Sequence, residues 1–268
     1  MPVYRKVKTC SDKEATRKKR LDAAGAILGS IAIGKYDIDD VFWTDECWFD
    51  TTGNRLNPQN DRVYAPPGVK KGDPSMRDLI AAPQKQRAPG IMAHMTVSSS
   101  RNGTVLTPHL LPVNTFITSA YYAENILEND VLPKIRAHVL RCDDPQAAER
   151  WVLMHDLATA HTAKDTVAFL KKHKVRMLPW APKGADINPL DIFVWGSIKC
   201  EIQKIPVENR DSQIKLQAVL TKVISELSEN EEWMAKLART CRSVPARLEW
   251  ITQNYGKQII GRFRDRAE

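Results

Sequence analysis

WVLMHDLATAHTAKDTVAFLKKHKVRMLPW, residues 151–180, decides the fold. Trp151 to His155 predicts a strand, Thr162 to Lys172 a helix and Val175 to Trp180 a second strand. After APKGADINP a further helix is expected from near Leu190. This β-α-β-α rhythm favours parallel pairing through crossover helices.

Upstream the rhythm differs. DDVFWTDECWFD predicts a strand, Val41 to Phe49, and IMAHMTVSSSRNGTVLTPHLL a hairpin turning at Arg101-Asn102-Gly103. Between them, Thr51 to Gly90 is rich in Pro, Gly, Asn and charge, and a segment that long without a regular element usually serves as a binding or interface loop. Helices are expected over Ala15–Ile33 and Ser119–His138, and throughout the chain beyond Arg210, with a break near Pro245. Three antiparallel strands followed by two parallel ones give an α/β class: an RNase H-like mixed five-stranded sheet flanked by helices, with a long insertion between strands 1 and 2. The expected organisation is a basic linker and helix over residues 1–38, a core over 39–210 containing the 51–90 insertion, and a C-terminal helical segment over 211–268.

At 268 residues and 43% hydrophobic, the chain can bury a large core. No stretch approaches the roughly 20 apolar residues that span a bilayer, and the first twenty residues lack the apolar run of a signal peptide, so no membrane is expected and an intracellular setting is. The five cysteines are odd in number and far apart, which fits neither a disulfide framework nor a CxxC zinc pair. The formal charge is +8, and Met1 to Arg20 holds eight basic residues against two acidic ones. A basic end of that kind suits a polyanion.

Three aspartates stand where this topology collects ligands. Asp45 lies in the first strand, Asp156 at the end of the fourth and Asp191 at the start of the helix after the fifth. Parallel strands present their carboxyl ends on one edge of the sheet. Carboxylates gathered there repel unless a cation intervenes, and hard oxygen ligands with open positions suit Mg²⁺ sharing its shell with phosphate oxygens. Two such ions about 4 Å apart activate the attacking oxygen and stabilise the leaving one. That is phosphoryl transfer on nucleic acid.

The three surrounding blocks resemble the Tc1/mariner DNA transposases. FWTDECWF is similar to the first catalytic block, MHDLATAHTA to the second and LPWAPKGADINPLDIFVWGSIK to the third; 34 residues separate Asp156 from Asp191, the mariner spacing with aspartate as third carboxylate. The resemblance implies Asp45, Asp156 and Asp191 as catalytic metal ligands, with Mg²⁺, or Mn²⁺ in its place, as two ions. It implies hydrolysis at transposon ends and transfer of the 3′-hydroxyl into target DNA. It implies double-stranded DNA as partner, a homodimer in the DNA complex with a monomer allowed for the isolated core, a clamp-like role for residues 51–90, and the nucleus if the source is eukaryotic. Leu157 stands where the family usually has asparagine, and Lys183-Gly184-Ala185 also departs from the pattern. These departures keep two rivals open: a non-catalytic DNA-binding protein derived from a transposase, and an RNase H-like nuclease. The family's paired helix-turn-helix domains have no counterpart in this sequence.

Neighbouring residues take supporting expectations. Glu46 points to the opposite face from Asp45 and is assigned to support or solvent. Asp186 is a capping residue or, less favoured, a substitute for Asp191. His155 is expected to be packed, and His161 to face the site, orienting a ligand or meeting phosphate; zinc is disfavoured because no thiolate or third histidine stands at suitable spacing. Trp43, Trp48 and Phe49 are expected in the core, with Trp180 and Trp195 behind the site. Arg17, Lys18, Lys19 and Arg20 are candidate DNA-backbone contacts, as are Lys70, Lys71 and Lys183. An asparagine at position 156 is expected to leave metal-free stability unchanged or higher, because like charges are relieved.

Overall fold

Strand β1, Val41–Asp50, sits at the centre of the sheet, and its alternation divides the molecule in two. Val41, Trp43, Cys47 and Phe49 enter one buried cluster, and Phe42 enters the other. In an extended strand consecutive side chains point to opposite faces, so Asp45 shares the first face and Glu46 the second. The computed structural model describes residues 13–51, 89–100, 103–142, 144 and 146–259.

Strand β2, Gly90–Ser98, runs antiparallel to β1 from Trp43↔Val97 to Asp50↔Gly90, and β3, Val105–Leu110, returns antiparallel along β2. Strand β4, Val152–Met154, pairs in parallel with the other edge of β1, giving the order β3-β2-β1-β4. The long insertion leaves after β1, and its base is fastened by Thr51 N–H donating to Pro89 O (2.9 Å). The insertion itself, and with it the expected clamp, lies outside the described residues.

The fifth strand expected over Val175–Trp180 does not form. Among the described residues the sheet has four strands, and the chain meets β4 at one parallel bridge, Leu153↔Met177. Leu153 N–H donates to Arg176 O and Leu178 N–H to Leu153 O, both at 2.8 Å. Two causes limit the pairing. β4 is three residues long, and Pro179 has no N–H to offer the ladder. The segment still occupies the outer parallel position, so the crossover is kept while the strand is lost.

Helices cover both faces. On the first face lie α1 (Glu14–Ala32) and, in the C-terminal segment, α7 (Gln213–Glu229), α8 (Glu231–Arg242) and α9 (Val244–Gln253). Their buried residues, from Ala24 and Ile27 to Leu220, Leu237 and Ile251, form one cluster with Trp43, Met95 and Met154. The expected break near Pro245 is the α8–α9 junction, with the proline in the first turn of α9, where a missing N–H is tolerated. On the second face lies a continuous helical segment, α2, made of Ser119–Tyr121, a π-wound section Tyr122–Val131 and Leu132–Leu140. A short helix, α3 (Ala147–Arg150), leads into β4, and α4 (Thr159–Thr162) and α5 (Lys164–Lys172) follow it. Helix α6 begins π-wound over Leu190–Val194 and continues as Trp195–Gln203. No helix of the described residues is long and apolar enough to cross a membrane.

Candidate active site

Register brings the first two aspartates level. Trp43 pairs with Met154 across β1 and β4, and two residues further along each chain stand Asp45 and Asp156. Thr44 Oγ donates to Met154 O at 2.7 Å and pins the strands where they would otherwise diverge. Asp191 arrives through α6: Asn188, buried at 2% exposure, accepts from Leu190 N–H at 3.2 Å and turns the chain into the helix. An Asn side chain bonding backbone ahead of it is a local turn device. Asp191 lies in the first turn of α6, where the helix dipole favours a carboxylate.

The three carboxylates feel one another. Burial and then the charge of Asp191 push Asp45 up to about 8, against a hydrogen bond from Trp195 Nε1 to its Oδ2 (2.9 Å). Partial burial and then the charge of Asp156 raise Asp191 to about 6, while Lys199 opposes the rise. Asp156 goes the other way. Burial would raise it, but bonds from His161 and from Ala158 N–H, together with the nearby histidines, hold it below the ordinary carboxylate value. Asparagine at 156 would relieve Asp191, which the charge of Asp156 raises, but the expected gain in stability is opposed because the native surroundings favour the charged form of Asp156 itself.

His161 explains the difference. Its ring is 2% exposed, with Nδ1 2.7 Å from Asp156 Oδ1 and Nε2 3.2 Å from Glu46 Oε1. Burial disfavours its charge, but the two carboxylates outweigh that and push it up to about 9. His155 stacks on it at 4.9 Å and 7°, and Tyr122 lies tilted against it at 4.1 Å. His155 is packed as expected: its Nδ1 is 3.1 Å from Tyr122 Oη, and burial, then His161, lowers it to about 4.

Glu46, Asp156 and His161 each offer a ligand atom, all within 4.8 Å of one another. Both ring nitrogens of His161 already face carboxylates, so this group reads as a bridge between two acids. The oxygens left for a hard cation belong to Asp45, Asp156 and Asp191. The donor set fits: all are carboxylates, and their mutual repulsion is the imbalance a divalent cation relieves.

The sequence-predicted basic residues separate. Arg20 is fully buried and is no DNA contact, which corrects that expectation. Its Nε donates to Gly256 O (3.1 Å), Nη1 to Lys183 O (2.7 Å) and Nη2 to Asp186 Oδ2 (2.7 Å). Arg17 is half-buried, whereas Lys18, Lys19 and Lys183 are exposed. Lys70 and Lys71 lie outside the described residues. Asp186 also accepts from Ile259 N–H at 2.7 Å, so it belongs to this clamp. Gly184 presses on the wall behind: a Cβ there would sit 2.6 Å from the Trp180 ring, which meets Trp43 edge-on at 6.2 Å. Leu157 is 51% exposed beside Asp156.

Two participants escaped the sequence reading. Lys199, further along the helix that starts at Asp191, acts on Asp191 and Cys47, and its ammonium lies 5.7 Å from the Phe49 ring centroid. Helical spacing from Asp191 would have found it. Tyr122 comes from the other face of the sheet, and no local signal marks it.

No family model matches the chain, and no curated protein matches it. Among solved structures it is similar to a pre-cleavage Mos1 transpososome (TM-score 0.67, 18% identity, covering 97% of this chain and 68% of that one). It is also similar to the catalytic domain of Mos1 mariner transposase (TM-score 0.61, 16% identity, 96% and 99%) and to the Mos1 transposase catalytic domain with Raltegravir and Mg (TM-score 0.62, 17% identity, 92% and 98%). The chain has the fold of the mariner transposase catalytic domain.

Proposed function

We propose that this chain is the catalytic domain of a metal-dependent DNA transposase of the Tc1/mariner type, cutting phosphodiesters at element ends and joining the 3′-hydroxyl to target DNA. One observation supports the reading: the charge of Asp191 raises Asp45 and the charge of Asp156 raises Asp191, so the three carboxylates are linked electrostatically. Their sequence blocks resemble the family's, and solved structures of the same fold are transposase complexes with Mg and with Mn.

Asp45, Asp156 and Asp191 would hold the cations, two in number. When bound, these ions lower the pKa of an attacking water or hydroxyl and stabilise the leaving oxygen. Trp195 fixes the rotamer of Asp45, His161 and Ala158 N–H fix Asp156, and the buried Asn188 turn sets the direction of Asp191. Lys199 supplies a positive charge on the Asp191 side. Lys18, Lys19 and Lys183 offer exposed charge to the DNA backbone. Several similar structures are paired-end complexes, which supports double-stranded DNA as partner and a homodimer as the working form.

The test is a Mn²⁺-dependent assay on a labelled duplex with a free 3′-hydroxyl, together with a supercoiled target. The expected product is the labelled strand joined to target DNA, lost in Asp45→Asn and Asp156→Asn. Cleavage without joining would indicate a nuclease. Mn²⁺-independent DNA binding with neither product would indicate a non-catalytic scaffold.

A further inference from the structure

Glu46 reaches the site from the face of β1 opposite Asp45, and nothing in the chemistry above uses it. Its side chain is 14% exposed, with Oε1 3.2 Å from His161 Nε2 and 3.9 Å from Nε2 of the fully buried His94. A carboxylate so enclosed can act only on what it touches. His161 is enclosed: Asp156 hydrogen-bonds one ring nitrogen, Glu46 lies at ion-pair distance (3.2 Å) from the other without hydrogen-bond geometry, His155 stacks and Tyr122 tilts against the ring. The ring cannot rotate without losing one of these partners.

The consequence reaches Asp156. His161 Nδ1 (2.7 Å) and Ala158 N–H (2.8 Å) both bind the same oxygen, Oδ1. Oδ2 has no hydrogen-bond or ion-pair partner among the described residues, and it is the oxygen left for a cation. We propose that Glu46 is a positioning residue that acts through His161, fixing the imidazole so that Asp156 is held by Oδ1 and offers Oδ2. The inference rests on the functional reading above, since it takes Asp156 as a metal ligand. One strand thus contributes twice: Asp45 directly from one face and Glu46 indirectly from the other. Partners one step removed from a metal typically change its affinity by about 10- to 100-fold when lost.

Mn²⁺ affinity of the full chain, read by electron paramagnetic resonance titration, tests this. Glu46→Gln keeps the shape and removes the charge. It is expected to bind Mn²⁺ about 10- to 100-fold more weakly, to unfold without metal within a few degrees of wild type, and to recover its single-turnover rate at saturating Mn²⁺. Because Glu46 acts through His161, the Glu46→Gln/His161→Gln double variant should bind no more weakly than His161→Gln alone. Wild-type affinity in Glu46→Gln, or losses that multiply in the double variant, would overturn the proposal. So would nitrogen coupling from His161 to Mn²⁺ in pulsed spectra, because His161 would then be a ligand. If Glu46→Gln does not fold, Glu46→Asp, which keeps the charge but withdraws it by one methylene, must show the weakening instead. Asp156→Asn separates the two readings. Wild-type Mn²⁺ binding by that variant would sink the proposed function, whereas its loss beside an unaffected Glu46→Gln would sink only the role of Glu46.

Discussion

Asp45 and Asp156 face the same edge with opposite electrostatics, so one substitution has opposite effects at the two positions. Asp45 is raised to about 8, above its unfolded value. The metal-free native state therefore keeps a proton that the unfolded chain gives up, and stability falls as pH rises from the unfolded carboxylate range through about 8. At pH 7.5 without metal, Asp45→Asn should raise the unfolding midpoint. Asp156 is lowered, so its contribution is present above the unfolded value and is lost as pH falls through the folded one. Asp156→Asn should lower the midpoint, and calorimetry in chelator compares the two. His94 gives a third prediction. It is fully buried and lowered to about 4, chiefly by burial, so it contributes stability above its unfolded value near 6.5 that is lost as pH falls toward 4, on the order of 3 kcal/mol. In His94→Gln the acid limb between those values should flatten, as measured by urea unfolding at a series of pH values.

At the scale of elements, the third carboxylate depends on distant chain. Helix α1 and the segment after α9 both hold the loop before α6, through Arg20 to Lys183 O, Asp186 and Gly256 O. The Arg20–Asp186 pair is buried on both sides, at 0% and 5% exposure. Removing one partner of such a pair typically costs about 3–5 kcal/mol, and that is the expected loss for Arg20→Ala in denaturant unfolding. Gly256 shows how closely these pieces approach: φ is +75°, and a Cβ there would lie 2.1 Å from Arg17 O. Gly256→Ala should destabilise by the same route, separating α1 from the end of the chain, with circular dichroism melting as the check. Arg242 makes a parallel tie on the other side, binding Asp39 at 3.0 Å just before β1.

For the whole molecule, the question is which cations remain for a nucleic acid once the structural ones are subtracted. Arg20 is used internally, while Lys18, Lys19 and Lys183 stay exposed. Alanine at Lys18 and Lys19 together should leave the melting temperature unchanged, weaken duplex binding for every sequence alike, and reduce the slope of log affinity against log salt by about one for each phosphate no longer neutralised. Fluorescence anisotropy at several salt concentrations reads both quantities; an unchanged slope would remove α1 from the DNA surface. Light scattering with and without paired duplex ends tests the dimer, and a monomer in both conditions would contradict it.

The sequence alone determined the alternation of β1, the hairpin, the crossover after β4, the place of Asp45 within β1 and that of Asp156 just past β4, because side-chain period and chain order are local properties. It also marked Asp191 as a helix-start carboxylate. It could not show that Val175–Trp180 would fall short of a strand, because that depends on how little of β4 is available to pair. Nor could it separate Arg20 from Lys19: both read as one charge run, and only the packing of α1 against the end of the chain buries the guanidinium. Glu46 was legible as pointing away from Asp45, but its target was not. His161 and Tyr122 come to it from elements far along the chain, and approaches across a sheet leave no trace in local spacing. The three candidate carboxylates were thus legible in the sequence, and the enclosure that sets the charge of each was decided by tertiary packing.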